Sequence, residues 1–230
     1  RTVLTANLPA NDKRLPLDFA RLLGRPVAYV NDAQALALSE AVFGAAKNHH
    51  RVVGIVLGTG IGGGTVERGR LQAGPTGTGG EFGHMSAPAH LIAQYGLPMQ
   101  QCGCGRIGCI ETLVSGPGLS RIAKTVIGRD LSPSDIAVLR HTDDQVRLVW
   151  DIWCQITADL LHTITLIQDP DCIVLGGGLS KMDGVVRDLT QAAQSSQLKG
   201  FGIPAIVLAQ GGDASGARGA AFAAACAARG

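Results

Sequence analysis

Between Glu81 and Glu111 the chain carries His84 and three cysteines in the spacing Cys102-x-Cys104-x4-Cys109, and this set restricts the fold more than any other feature. One imidazole and three thiols complete a tetrahedral zinc shell. Binding them to one ion fixes the course of the segment, and with it the direction in which Glu81 and Glu111 point. The competing reading is a disulfide, but Cys102 and Cys104 are too close along the chain to pair easily, and Cys109 alone would leave an odd thiol. The remaining cysteines, Cys154, Cys172 and Cys226, stand singly in apolar stretches and read as core packing. A metal knot that aims carboxylates suggests a site for a polar ligand.

The periodicity elsewhere predicts an α/β class. Residues 27–30 and 51–57 are short β-branched runs, separated by a helical stretch over 33–43 in which Ala35, Leu36, Leu38, Ala41 and Val42 fall at helical spacing. A tract rich in Gly, Thr and Pro over 58–80 reads as a hairpin with a long loop, and a helix is expected from near 115–118. Residues 143–167 read as one long helix stopped by Asp169-Pro170. Two further strand, glycine and helix units follow: 172–175 into a helix over 182–196, and 205–209 into a final alanine-rich helix. Trp150 and Trp153 recur at helical spacing among aliphatic residues, so they are expected in the core. His49 and His50 read as solvated, and His90, His141 and His162 have no partner cluster nearby.

Charge and composition narrow the function classes. With 46% hydrophobic and 17% charged residues and a net charge of +2, the chain is globular and carries no strong field toward nucleic acid or an anionic membrane. No apolar run approaches the roughly 20 residues that cross a bilayer, and no basic-then-apolar signal pattern opens the chain. Together with reduced thiols this predicts a cytoplasmic protein. The first residue is Arg1, and Val3-Leu4-Thr5-Ala6 reads like the interior of a fold, so a preceding segment is expected.

Two stretches carry the rest of the chemistry. Leu57-Gly58-Thr59-Gly60-Ile61-Gly62-Gly63-Gly64 follows a strand, and its bare backbone N–H groups and the Thr59 hydroxyl suit an anion such as a phosphate. A glycine-rich hairpin turn gives a similar pattern, and the spacing fits neither the Walker loop nor the dinucleotide fingerprint. Asn31-Asp32 lies at the carboxyl end of the 27–30 run, where a side chain can face a crevice; capping of the following helix is the alternative.

In this order Asn31-Asp32, the 57–64 stretch, Gly80-Glu81-Phe82-Gly83-His84 and Cys102-x-Cys104-x4-Cys109-x-Glu111 resemble the ROK family of sugar kinases and related repressors, and within it the N-acetyl-D-glucosamine kinases. The likeness continues through Asp169-Pro170-Asp171 to Gly176-Gly177-Gly178 and through residues 212–221. It implies an actin-like (ribonuclease H-like) fold: residues 1–42 a remnant of the N-terminal domain, 43–214 the C-terminal domain, and 215–230 a helix returning to the first. It further implies that Asp32 is the catalytic base that activates a sugar 6-hydroxyl. Asn7, Asn31, Asp32, Glu81, His84 and Glu111 would bind the sugar, and Gly58, Thr59, Gly60, Gly62, Gly63, Gly177 and Gly178 would bind ATP, with magnesium on the phosphates. Zinc would be structural on His84, Cys102, Cys104 and Cys109, with His84 meeting the sugar through its other nitrogen. A homodimer is implied as well, with no membrane or nucleic-acid partner for a kinase.

Gln34 stands where these kinases often have Asn, and Gly79-Gly80 replaces a more usual Ala-Gly. The Asp-x-Gly-Gly-Thr phosphate loop of the family is absent from the 230 residues, so this chain alone is expected to be inactive. The alternative function is a sugar-sensing repressor of the same family whose DNA-binding region lies outside this sequence.

Overall fold

Arg51–Leu57 is the most continuously apolar strand candidate, and a strand of that kind has to be covered on both faces. In the structure, a computed structural model that describes residues 13–228, it forms β1 (Arg51–Leu57) at the centre of a five-stranded sheet. The others are β2 (Ile61–Glu67), β3 (Arg70–Leu71), β4 (Cys172–Gly176) and β5 (Ala205–Leu208), in the order β3-β2-β1-β4-β5. β1 and β2 are antiparallel with Leu57 opposite Ile61, which leaves residues 58–60 as the hairpin turn. β4 runs parallel to β1, and β5 parallel to β4. Parallel neighbours need long crossovers, and helices supply them.

The helices are α1 (Leu15–Leu23), α2 (Asp32–Phe43), α3 (Ala89–Tyr95), α4 (Glu111–Val114), α5 (Gly116–Ile127), α6 (Pro133–Leu139), α7 (Asp144–Gln168), α8 (Val185–Ser196) and α9 (Ser215–Ala227). Strand alternation sorts the core. Val53, Ile55, Leu57, Ile173 and Leu175 face a thick layer with Trp153, Ile156 and Leu160 of α7, Leu119 and Ile122 of α5, and Leu189 of α8. Val52, Val66, Cys172 and Val174 face a thin layer made by Ala37, Leu38 and Ala41 of α2. That layer is thin because its residues are small: a Cβ on Gly54 would lie 2.6 Å from the Ala37 Cβ, so α2 rests on the sheet backbone itself. α9 then packs on α2, and a Cβ on Gly219 would overlap the Ala35 carbonyl.

The long helix keeps close to its expected bounds. Asp143 caps it by accepting from the N–H groups of Gln145 and Val146, and Asp169 ends it in the left-handed region at φ 43°. Both tryptophans are buried with their indole N–H groups satisfied, Trp153 by the Val114 carbonyl and Trp150 by Asp188, each at 3.0 Å.

Four expectations need correction. Residues 27–30 pair with no strand among the described residues: β-branched residues favour an extended backbone, but a strand requires a neighbour to take its hydrogen bonds. The 58–80 tract does hold the expected hairpin, β2 with β3, followed by a long loop over 72–80, but Gly62, Gly63 and Gly64 are strand residues rather than part of an anion-binding loop. The helix expected from 182 starts at Val185, after a short 3-10 turn over Leu179–Lys181. Cys226 is exposed near the end of α9, whereas Cys154 and Cys172 are buried as expected; the alanines around Cys226 are an exposed helix end, not a core. Among the described residues no helix is long and apolar enough to cross a membrane.

Candidate functional site

The first turn of α2 separates two roles that the sequence left competing. Asn31 is the N-cap, with φ −66° and ψ 147°, and the Ala33 N–H donates to its Oδ1 at 2.9 Å. Asp32 is therefore the first helical residue; it also accepts from the Ala33 N–H, at 2.8 Å through Oδ1. Its side chain is exposed and lines a cavity of about 380 Å³ shared with Leu36, Val56, the 176–178 glycines and Lys181. Asn31 thus supplies the main cap, and Asp32 faces a crevice.

The β1–β2 turn lies beside that cavity. Gly58 N–H donates to the Gly60 carbonyl at 3.1 Å, and Gly116 N–H donates to the Gly58 carbonyl at 2.8 Å, so the start of α5 is tied to the turn. Gly177, at φ 87°, is pressed against the Leu57 carbonyl, which joins the end of β4 to the end of β1. Gly58, Thr59, Gly116, Pro117, Gly178 and Leu179 are among the walls of a second cavity of about 950 Å³. Gly62 and Gly63 sit one step along β2, where their lack of a side chain admits neighbours: a Cβ would lie 3.2 Å from the Ala33 Cβ at Gly62 and 2.8 Å from the Phe82 ring at Gly63.

The 81–111 segment closes the same end of the sheet. Its short 3-10 turn, Phe82–His84, rests on β2. His84 Nδ1 is 3.6 Å from Cys102 Sγ, Cys104 Sγ is 3.6 Å from Cys109 Sγ, and all four ligand atoms lie within 4.8 Å of one another. Zinc bonds of about 2.3 Å to sulfur and 2.0 Å to nitrogen give tetrahedral edges of roughly 3.5–3.8 Å, whereas a disulfide needs about 2.05 Å. The two 3.6 Å pairs have the length of tetrahedral edges and are too long for a disulfide, and the six cysteines are free. Burial pushes the Cys109 thiol up to about 12 and raises Cys102 as well, while the Arg106 N–H lowers Cys104. A divalent cation would draw all three toward the thiolate.

The candidate metal ligands also adjoin the carboxylates. The Nε2 of His84, turned away from Cys102, is 3.7 Å from Glu81 Oε2. Glu111 accepts from the Ile61 N–H at 2.7 Å through Oε2, and Cys102 Sγ lies 3.6 Å from its Oε1. Glu111 thereby couples the cysteines to the β1–β2 turn. Arg106 donates to the His84 carbonyl at 3.1 Å. Asn7 lies outside the described residues.

Sequence reasoning missed three residues here. Glu40 on α2 is 0% exposed and accepts from the N–H groups of Ala45, Gln210 and Gly211 and the hydroxyl of Ser215, holding the turn before α9. Gln34 donates to the Gly79 carbonyl at 2.6 Å, tying α2 to the loop that delivers Glu81. Lys181 lines both cavities. None belongs to a spacing pattern; an unexpected Gln at position 34 was the one available signal.

Comparison with known proteins agrees with this geometry. The family model described as ROK family matches residues 1–226. An N-acetylgalactosamine kinase from Shewanella sp. (strain ANA-3) is 41% identical over 223 residues, covering 96% of this chain and 72% of the relative. An N-acetyl-D-glucosamine kinase from Escherichia coli O6:H1 is 38% identical over 225 residues, covering 96% and 74%. Among solved structures, the ROK hexokinase from Thermus thermophilus superposes with a TM-score of 0.86 at 31% identity, covering 99% of this chain and 74% of that one. A ROK family glucokinase from Streptomyces griseus, solved with glucose and AMPPNP, gives 0.77 at 27% identity, covering 96% and 75%.

Proposed function

We propose, from the premise that this chain belongs to the ROK family and has its actin-like fold, that it is a sugar kinase that transfers phosphate from ATP to the 6-hydroxyl of an N-acetylhexosamine, N-acetyl-D-glucosamine first. The observation that carries this reading is the sharing of one crevice by Asp32 and the 176–178 glycine turn, next to the larger cavity at Gly58 and Thr59. A sugar sensor needs hydroxyl-binding groups but no base beside a phosphate cradle.

In this reading Asp32 accepts the proton of the attacking 6-hydroxyl, and Asn31, Glu81, His84 and Glu111 hold the ring hydroxyls. Each carboxylate oxygen can accept more than one hydrogen bond, so Glu111 can keep its bond from Ile61 and still receive a sugar hydroxyl. His84 would bind metal through Nδ1 and leave Nε2 for the sugar. The backbone N–H groups at residues 58–60 and the Thr59 hydroxyl would face the phosphates, with Gly62 and Gly63 shaping the wall beneath and Gly177 and Gly178 against the nucleoside. Phosphoryl transfer depends on alignment and charge stabilisation more than on covalent help, and magnesium, when bound with ATP, would supply the remaining positive charge. Zinc on His84, Cys102, Cys104 and Cys109 would have four protein ligands and no open position, which is a structural role.

Since these 230 residues hold one phosphate loop and not the Asp-x-Gly-Gly-Thr loop, they are expected to be inactive alone, and turnover is to be measured on full-length protein. The test is a panel of N-acetylglucosamine, N-acetylgalactosamine, N-acetylmannosamine, glucose and fructose with ATP, followed by phosphorus NMR of the products. A 6-phosphate formed fastest from N-acetylglucosamine is the expected result. Sugar binding without turnover of any member would favour the repressor reading.

A further inference from the structure

The two cavities of the crevice share two wall residues, Gly178 and Lys181. Lys181 is the last residue of the 3-10 turn that follows the 176–178 glycines, with its N–H bonded to the Gly178 carbonyl at 3.2 Å. The larger cavity has apolar walls at Pro117, Pro133, Leu179 and Met182; the smaller one holds Asp32. Lys181 lines both, and it is the one lysine or arginine among the described residues lining either. It forms no ion pair with another described residue.

A ligand that runs from the apolar cavity toward Asp32 must pass Lys181. If the ligand is a nucleoside triphosphate, the part that passes is its phosphate chain. The turn at residues 58–60 offers that chain only neutral dipoles, and Asp32 adds a negative charge at the far end. An uncommitted ammonium group on a flexible stem, between the two, is the group that balances this field.

We propose that Lys181 is the cationic contact of this chain for the phosphates of the nucleotide, and so a determinant of its preference for the nucleoside triphosphate over the bare nucleoside. This rests on the kinase reading above. The test is calorimetric titration of full-length protein and its Lys181→Met and Lys181→Arg variants with ATP, ADP and adenosine at low and high salt. Lys181→Met keeps the apolar stem and should weaken ATP about tenfold and ADP less, leave adenosine unchanged, and flatten the salt dependence of ATP binding. Lys181→Arg should restore most of the ATP affinity. Wild-type ATP binding left intact in Lys181→Met overturns the inference while sparing the kinase reading, and so does an equal loss for ATP and adenosine. A wild-type protein that binds none of the three overturns both.

Discussion

Around the β1–β2 turn, Asp32 is held by a helix that rests on the sheet backbone, whereas Glu81 and Glu111 are held by a segment that exposes Met99, Cys104, Arg106 and Ile107. On the first side the fixing elements are glycine and alanine contacts at Gly54, Ala37 and Gly219, reinforced by the buried Glu40. On the second they are four side-chain ligands converging within 4.8 Å. Both sides do the same work, which is to hold carboxylates at one end of one sheet. The difference teaches that the two should fail under different insults: steric change or acid on the Asp32 side, loss of the proposed metal on the other.

The largest separation should come from chemistry. Asp32→Asn in full-length protein keeps the shape and the α2 cap on Asn31, so kcat should fall on the order of a thousandfold or more with sugar KM little changed. Glu111→Gln should do the reverse, raising KM more than it lowers kcat. Steady-state kinetics with the preferred sugar decide; near-normal turnover by Asp32→Asn would reduce that residue to a helix-start group.

Next comes the metal. Structural zinc sites of this kind contribute about 10–16 kcal/mol to the folding of small domains, and Cys104→Ser removes one of four ligands. Elemental analysis should find one zinc per wild-type chain and none in the variant, with an apparent loss of about 3 kcal/mol or more in stability and of sugar affinity. Chelation should reproduce this while leaving the α2–α9 side intact by hydrogen exchange. A well-folded native chain without metal would remove the asymmetry between the two sides.

The third contrast is steric. Gly219→Ala gains about 1 kcal/mol of helix propensity, yet its Cβ meets the Ala35 backbone carbonyl, which cannot swing aside. Overpacking of that kind costs about 1–3 kcal/mol, so a net loss is expected in urea melts, with zinc content unchanged. A stabilised variant would mean that α9 sits more loosely on α2 than the contact implies.

How much of this could be read beforehand follows from what each feature depends on. The clustering of His84, Cys102, Cys104 and Cys109 was legible because coordination demands particular side chains at close spacing, and β1, β4, α2 and α7 because burial on a sheet face or helix stripe imposes a period. Asn31 and Asp32 were legible as a pair, but their division into cap and crevice residue was not, since both can cap. Gly62 and Gly63 misled because a glycine loop that cradles an anion and a glycine strand that admits Ala33 and Phe82 have the same composition. Residues 27–30 misled because propensity is local and strand pairing is not. Glu40 and Lys181 gave no signal, as their roles come from contacts or cavities shared with residues far along the chain.

The last contrast concerns Glu40, and it tests whether the packed side is also an electrostatic one. Burial pushes this carboxyl up, but the N–H groups of Ala45 and Gln210, the Ser215 hydroxyl and the Gly211 N–H together outweigh it and hold Glu40 below its ordinary 4.5. The folded state therefore favours the ionised form more than the unfolded state does. Its contribution is complete at pH values well above about 4.5 and is lost as pH falls through the depressed folded value. Glu40→Gln turns an NH₂ group toward backbone donors that need an acceptor, and hydrogen bonds to a charged partner are each worth about 1.5–3 kcal/mol. At pH 7 the variant should be less stable by about that much. Below about pH 4.5 the wild type should lose stability more steeply than the variant, so the two curves converge. Urea melts from pH 7 down to the acid limit of folding measure both. Curves that stay parallel would mean that Glu40 acts through shape alone, and the Asp32 side would then differ from the metal side in packing but not in its response to acid.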